Sequence, residues 1–294
     1  MKRFSKNGIC VLLIWTLNLS WSSVALAGDF IEDFAVQCRA YAEGLDNSKY
    51  EYEIDGYNMM NDSKRTVHGK DSFTFSFPRL KLIRERSSDS GPVAREEFVY
   101  DGTTFQALTS SRVLCIGKNP QSFKLRYDYE IPLLMPISFV FYHKDSHSMW
   151  NELRASSAWK FFSENAKYAQ PKDSALGTIH FLGSDSVSGT NVECNIEAGG
   201  NNLLPQKWSY SGGNLKGYVE ILSWTKGNSS FPIPKEILKT VYINEKIFSS
   251  RRYSLKTFQK VSSEQFSGDT FRISSESARQ VVDCDENTTF SIEE

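Results

Sequence analysis

The sequence predicts an α+β, mainly β fold. It is one large curved antiparallel sheet, an incomplete β-barrel, with an N-terminal helix and a mid-chain helical insert packed on its concave face. Three observations predict it. An amphipathic helical stripe lies near the start, and strict two-residue alternation recurs along most of the remaining chain. A proline-broken apolar stretch, with aromatic residues at helical spacing after it, interrupts that alternation once.

Residues 1–27 read as a secretory signal peptide. Lys2, Arg3 and Lys6 form a basic head, Ile9 to Trp21 is an apolar core, and Ala25-Leu26-Ala27 is a small-x-small cleavage signal. The apolar core is short of the ~20 residues that span a bilayer. No later stretch is long and apolar enough, so no stable transmembrane segment is expected after cleavage. Export follows, to the periplasm or beyond, and residues 28–294 form the mature chain. Removing Lys2, Arg3 and Lys6 from 34 basic residues leaves 31 against 35 acidic ones, a formal charge of −4. No basic run there is longer than a pair such as Arg251-Arg252, which excludes a nucleic-acid stripe. Cys38, Cys115, Cys194 and Cys284 survive processing. Their even number in an oxidising compartment predicts disulfides, with all three pairings open, and their spacing gives neither a redox nor a zinc motif.

In the N-terminal helix, Asp29 and Glu32 resemble a capping box. Ile31, Phe34, Ala35, Cys38, Tyr41 and Ala42 recur at helical spacing, and Gly44 closes the helix. The period then changes to two. Tyr50, Tyr52 and Ile54 alternate with acidic residues. Phe73, Phe75 and Phe77 alternate with Thr74 and Ser76, and Phe123, Leu125, Tyr127 and Tyr129 with Lys124, Arg126 and Asp128. Val192, Cys194 and Ile196 alternate with Glu193, Asn195 and Glu197. Such strands have one dry face and one wet face and belong to sheets covered on one side. Asp101-Gly102, Gly199-Gly200-Asn201 and Gly212-Gly213-Asn214 are hairpin signals between them, and further strands lie at Val241–Asn244 and Arg251–Phe258. Ten or more strands exceed what a flat sheet holds without curling.

Pro132 and Pro136 exclude a central strand from Ile131 to Tyr142. Beyond them Trp150, Leu153, Trp159, Phe162 and Ala166 lie near one helical face, which places one or two short helices near 146–167. Pro232 and Pro234 make 231–235 an extended connection. No internal repeat or linker divides residues 28–294, which read as a single domain.

This layout, together with the strings FVYDGTTF at 98–105, FPIPK at 231–235, FRISSESA at 271–278 and VVDCD at 281–285, resembles the LolA/LolB-like periplasmic carriers. It is also similar to a group of uncharacterised exported proteins best known from planctomycetes. The resemblance implies an incomplete barrel whose helices close its mouth around an apolar cavity, and a lipid, acyl chain or lipoprotein as partner.

Catalytic chemistry finds little footing. His143 and His147 are four apart but lack the glutamate of a zinc-protease helix. Asp283, Asp285 and Asn287 take the offsets of a calcium loop, but Thr288 stands where its glycine should be, so a solvated acidic tail is expected. No nucleophile elbow or phosphate loop is present, and Glu51, Glu53, Glu96 and Glu97 read as surface charge. No enzyme activity and no cofactor are called for. Aromatic residues are 13% of the chain, and a half-open barrel has more inner face than its helices cover. The expected role is therefore an exported binder of an apolar ligand, lined by Phe73, Phe75, Phe77, Phe123, Leu125, Tyr127, Trp150 and Trp159. The alternatives are a structural or interaction protein of the cell envelope, and a hydrolase with an unrecognised site.

Overall fold

The apolar stripe at 31–42 folds as helix α1, residues 29–44, within a computed structural model that describes residues 29–60, 63–88, 91–118, 131–142, 156–169, 176–184, 190–199, 203–226 and 232–292. Asp29 is already helical, so it is not the cap its spacing suggested. Ile31, Phe34, Ala35, Cys38, Tyr41 and Ala42 are all buried, and this stripe is the face α1 turns to the sheet.

The two-residue alternation becomes a sheet of fifteen strands among the described residues. They are β1 (Ser48–Met60), β2 (Ser63–Ser76), β3 (Arg79–Ser88), β4 (Ala94–Tyr100), β5 (Phe105–Leu108), β6 (Val113–Gly117), β7 (Ala166–Ala169), β8 (Leu176–Ser184), β9 (Asn191–Gly199), β10 (Pro205–Gly212), β11 (Leu215–Thr225), β12 (Ile233–Ile243), β13 (Lys246–Lys260), β14 (Gln280–Asp283) and β15 (Thr288–Ser291). The lateral order is β15-β14-β6-β5-β4-β3-β2-β1-β13-β12-β11-β10-β9-β8-β7. Two meanders meet where β1 pairs with β13, from Ser48 opposite Lys260 to Asn58 opposite Ser249. Every pairing is antiparallel except β14 on β6. β7 and β15 stand at opposite ends of the order, so the sheet is not closed into a full barrel.

Laid flat, fifteen strands would extend roughly 65 Å. Yet Phe105 of β5 and Phe181 of β8 belong to one continuous apolar cluster, so the sheet curls around its contents. Those contents are α1, a 3-10 segment at Met135–Phe141 and helix α2 at Ser156–Asn165. The helical pattern expected to run to residue 167 stops earlier: β7 begins at Ala166 and pairs with β8, Tyr168 opposite Ile179. The connection expected at 231–235 is shorter, since Ile233, Pro234 and Lys235 already belong to β12, and the ladder between β11 and β12 is irregular beside Pro234, as a missing donor requires.

The outer face is not bare everywhere. After β13 the chain crosses the back of the sheet as a strap of three 3-10 turns, Ser263–Gln265, Gly268–Phe271 and Ser275–Ser277, before adding β14 beside β6. The Lys49 ammonium of β1 lies over the Phe266 ring and the Arg79 guanidinium of β3 over Phe271. Gln106 Oε1 of β5 accepts from Ile273 N at 2.8 Å. Phe266, Phe271, Ile273 and Ala278 bury Val99 and Leu114 in a second cluster, so β4 and β6 are covered on both faces. The FRISSESA and VVDCD strings are this strap and its docking strand.

Candidate functional site

The inner face is set by strand phase. Tyr50, Tyr52 and Ile54 of β1 stand beside Phe73 and Asp71 of β2, Leu80 and Leu82 of β3, and Phe98 and Tyr100 of β4. The other meander contributes Tyr253, Ile237, Ile221, Val219, Trp208, Ile196 and Ile179, all buried. Phe73, Phe75 and Trp159 are brought together in this cluster, and Phe77 packs half-buried against it. Phe123, Leu125, Tyr127 and Trp150 lie outside the described residues, as do His143 and His147.

The cover is aromatic. Phe139 of the 3-10 segment stands 6.0 Å from Phe34 of α1, 5.2 Å from Phe162 of α2 and 6.0 Å from Trp208 of β10, ring centre to ring centre. Phe162 meets Phe181 of β8 at 5.1 Å. Phe34, Phe139 and Phe162 have no exposed surface. Two polar ties reach the 3-10 region: Tyr41 Oη donates to Leu133 O at 2.6 Å, and Trp208 Nε1 to Met135 O at 2.8 Å. Burial pushes the Tyr41 and Tyr52 phenols and the Cys38 thiol well above their ordinary values, so each stays protonated.

Toward the hairpin between β1 and β2, the inner face changes character. Asp71 is fully buried, its Oδ1 2.6 Å from Arg86 Nη1 and 3.3 Å from Arg84 Nε, while Arg84 Nη2 reaches Oδ2 at 3.4 Å. Arg86 Nη1 also donates to Glu85 O at 2.9 Å, but its Nη2 is buried with no hydrogen-bond partner. Two glycines make room. A Cβ on Gly69 would lie 2.8 Å from both Cδ and Nη1 of Arg86, and one on Gly56 2.8 Å from Arg251 Cα and 3.1 Å from its Cγ. Arg251 Nη2 donates to Asn58 Oδ1 at 3.3 Å, and Lys239 stands opposite Arg251 in the β12–β13 ladder. None of these residues stands out in the sequence. The available signal was phase: Asp71 continues the dry positions of Phe73 and Phe75, and Arg84 and Arg86 continue those of Leu80 and Leu82.

The remaining candidates resolve into structural contacts. No disulfide joins Cys38, Cys115, Cys194 and Cys284. This overturns the expected bridges: Cys38 sits on α1, and Cys115 and Cys194 on strands of different meanders, each serving as a small core side chain. Glu51 and Glu53 pair outside with Lys70 and Lys256, both at 2.6 Å. His68 bonds Asp55 at 2.7 Å, and His180 bonds Asn195. The expected acidic tail is exposed and folds as a hairpin turn, in which Asp283 Oδ1 accepts from Asp285 N and Glu286 N between β14 and β15. Among the described residues no three metal-ligating side chains gather, and no helix is long and apolar enough to cross a membrane.

No family model matches the sequence, and no curated protein does. Among solved structures, the chain is distantly similar in fold to a DUF1329 family protein from Desulfovibrio piger ATCC 29098, with 9% identity and a TM-score of 0.45 over 82% of this chain and 98% of that one. It is also distantly similar to a "putative outer membrane lipoprotein-sorting protein domain" from Vibrio parahaemolyticus, with 10% identity and a TM-score of 0.43 over 82% of this chain and 95% of that one.

Proposed function

We propose that this is an exported protein that binds an apolar ligand, a lipid or the acyl chain of a lipoprotein, between the sheet and its helical cover. One observation carries the reading: among the described residues, the aromatic inner face is closed by three helical pieces from separate parts of the chain, and not by a second sheet. The 3-10 segment, of 7 residues, and α2, of 10, hold little helix on their own and stay in place through packing. An acyl chain can exchange with that packing side for side, since burial of apolar area is worth ~25 cal/mol per Å² whichever molecule supplies it. The predicted lining, Phe73, Phe75, Phe77 and Trp159 with Phe123, Leu125, Tyr127 and Trp150, remains the proposed contact set. Purified, delipidated protein should take up a fluorescent fatty acid with saturable enhancement. Absence of uptake would remove the reading.

A second reading has its own observation. Met60, Leu215, Ile247 and Phe248 are exposed apolar residues at the β1–β2, β10–β11 and β12–β13 turns. An envelope interaction protein with a fully packed core would use such a surface, and would leave the fatty-acid probe in solution.

A further inference from the structure

The sheet's inner face is apolar over most of its area and cationic at one end. On strand phase Arg84, Arg86, Lys239 and Arg251 share that face, against Asp71 and Glu96. Asp71 already holds Arg84 through both of its oxygens and Arg86 through one. The second terminal nitrogen of Arg86 is left buried with no acceptor. Guanidinium has five donors in a fixed plane, and one carboxylate shared by two arginines cannot occupy them all. The two glycines place the arginines' stems. Gly69 lies under Arg86 from β3 and Gly56 under Arg251 from β13, so the two side chains lie over the β1–β2 pair from opposite sides.

Buried donors in native proteins are matched by protein, water or ligand, and a planar guanidinium fits an oxyanion better than it fits water. We propose that this arginine corner binds the oxyanion, carboxylate or phosphate, of an amphiphile whose chain lies along the aromatic face. The proposal rests on the apolar-ligand reading and adds the head group to it. Arg86 supplies the open donor, Arg251 faces it across the two glycines, and Arg84 with Asp71 fixes the plane of Arg86. The adjoining apolar row, Ile54 and Tyr52 of β1, starts one register step from Gly56 and leads from the cations to the aromatic core.

The experiment compares cis-parinaric acid with its methyl ester, which share a chain and differ in charge, on the full-length delipidated protein. The acid should bind about tenfold more tightly than the ester, the worth of one charge-assisted contact. Arg86→Gln should abolish that ratio without abolishing ester binding, and Arg86→Lys should restore part of it. Equal binding of acid and ester, or a ratio unchanged in Arg86→Gln, overturns the oxyanion site and leaves the apolar site standing. If neither probe binds, the apolar reading fails and inorganic phosphate becomes the test. Phosphate that raises the melting temperature of the wild type but not of Arg86→Gln supports a site for a free oxyanion, and no such rise overturns it. Arg251→Gln serves if Arg86→Gln does not fold, and it should lower the same ratio.

Discussion

Asp71 and Arg86 are joined at 2.6 Å, the carboxylate fully buried and the arginine side chain partly so, on adjacent strands at the border between the aromatic core and the polar end of the inner face. Removing the anion leaves two arginines against each other without the carboxylate they share. Asp71→Asn should therefore lower unfolding free energy by about 3–5 kcal/mol, as breaking a buried ion pair from one side does. Urea unfolding measures it. A loss within about 0.5 kcal/mol, typical of surface substitutions, would mean that water reaches the cluster and screens it.

Gly69→Ala tests the same corner from below. Its Cβ would press on the Glu85 carbonyl and stand 2.8 Å from Arg86 Cδ and Nη1. Backbone cannot yield cheaply, so the expected cost is about 1–3 kcal/mol, the range for overpacking. Any oxyanion preference should fall with it, because the guanidinium is what moves aside.

These two positions also show where reading the chain succeeds and stops. Phe73, Phe75, Tyr50 and Val192 announce their strands because an alternating residue has only two faces to choose between. The inner face was legible from that alone. Asp71 and Arg86 were not, since a charge at a dry position looks like the end of a strand until its neighbours are known, and Arg86 needs Gly69 on another strand to make space. The strap was hidden for a different reason. Phe266, Phe271 and Ile273 follow neither period, because three successive 3-10 turns have no long-range repeat. The cysteines misled through parity: an even count permits bridges, but Cys38 and Cys194 were placed by burial.

Burial makes the fold sensitive to alkali. The folded state holds Tyr41, Tyr50 and Tyr52 above their ordinary 10.0, and Cys38 and Cys194 above 9.0, in each case chiefly because the charged form is desolvated. The folded chain therefore binds these protons more tightly than the unfolded chain. That stabilisation is complete below the ordinary values, then shrinks as pH rises beyond 9.0 and 10.0 toward the folded values. Lys260, held below 10.5 by burial, acts in the opposite direction but is one group against five. Melting temperature should hold steady through neutral pH and fall above about pH 9. A flat profile to pH 11 would mean that the phenols are solvated.

With no disulfide to break, a reducing agent should leave the urea midpoint unchanged. Iodoacetamide on the folded protein should label Cys284, the least buried thiol, first. Cys38 and Cys194 should react only on unfolding, because the thiolate is the nucleophile and burial suppresses it. Mass spectrometry of the labelled peptides distinguishes these positions. A midpoint that drops under reduction would show that bridges form in the exported protein.

The Tyr41 hydroxyl separates a cover that moves from a core that is simply full. Its bond to Leu133 O ties α1 to the 3-10 region, while its ring meets Trp224 edge-on at 6.1 Å. Tyr41→Phe keeps the ring and deletes the tie, at a cost of about 1 kcal/mol or slightly more, because the carbonyl is left buried. If that energy holds the cover down, the open form becomes about fivefold more populated and apparent affinity for a fluorescent fatty acid rises by the same factor. Stability and uptake then move in opposite directions. If the interior is a packed core with no guest, the variant loses the same stability and binds no more probe than before, and the interaction-protein reading gains the advantage. Stability measured beside binding in this one variant separates the two, since a structural defect alone lowers the first without raising the second.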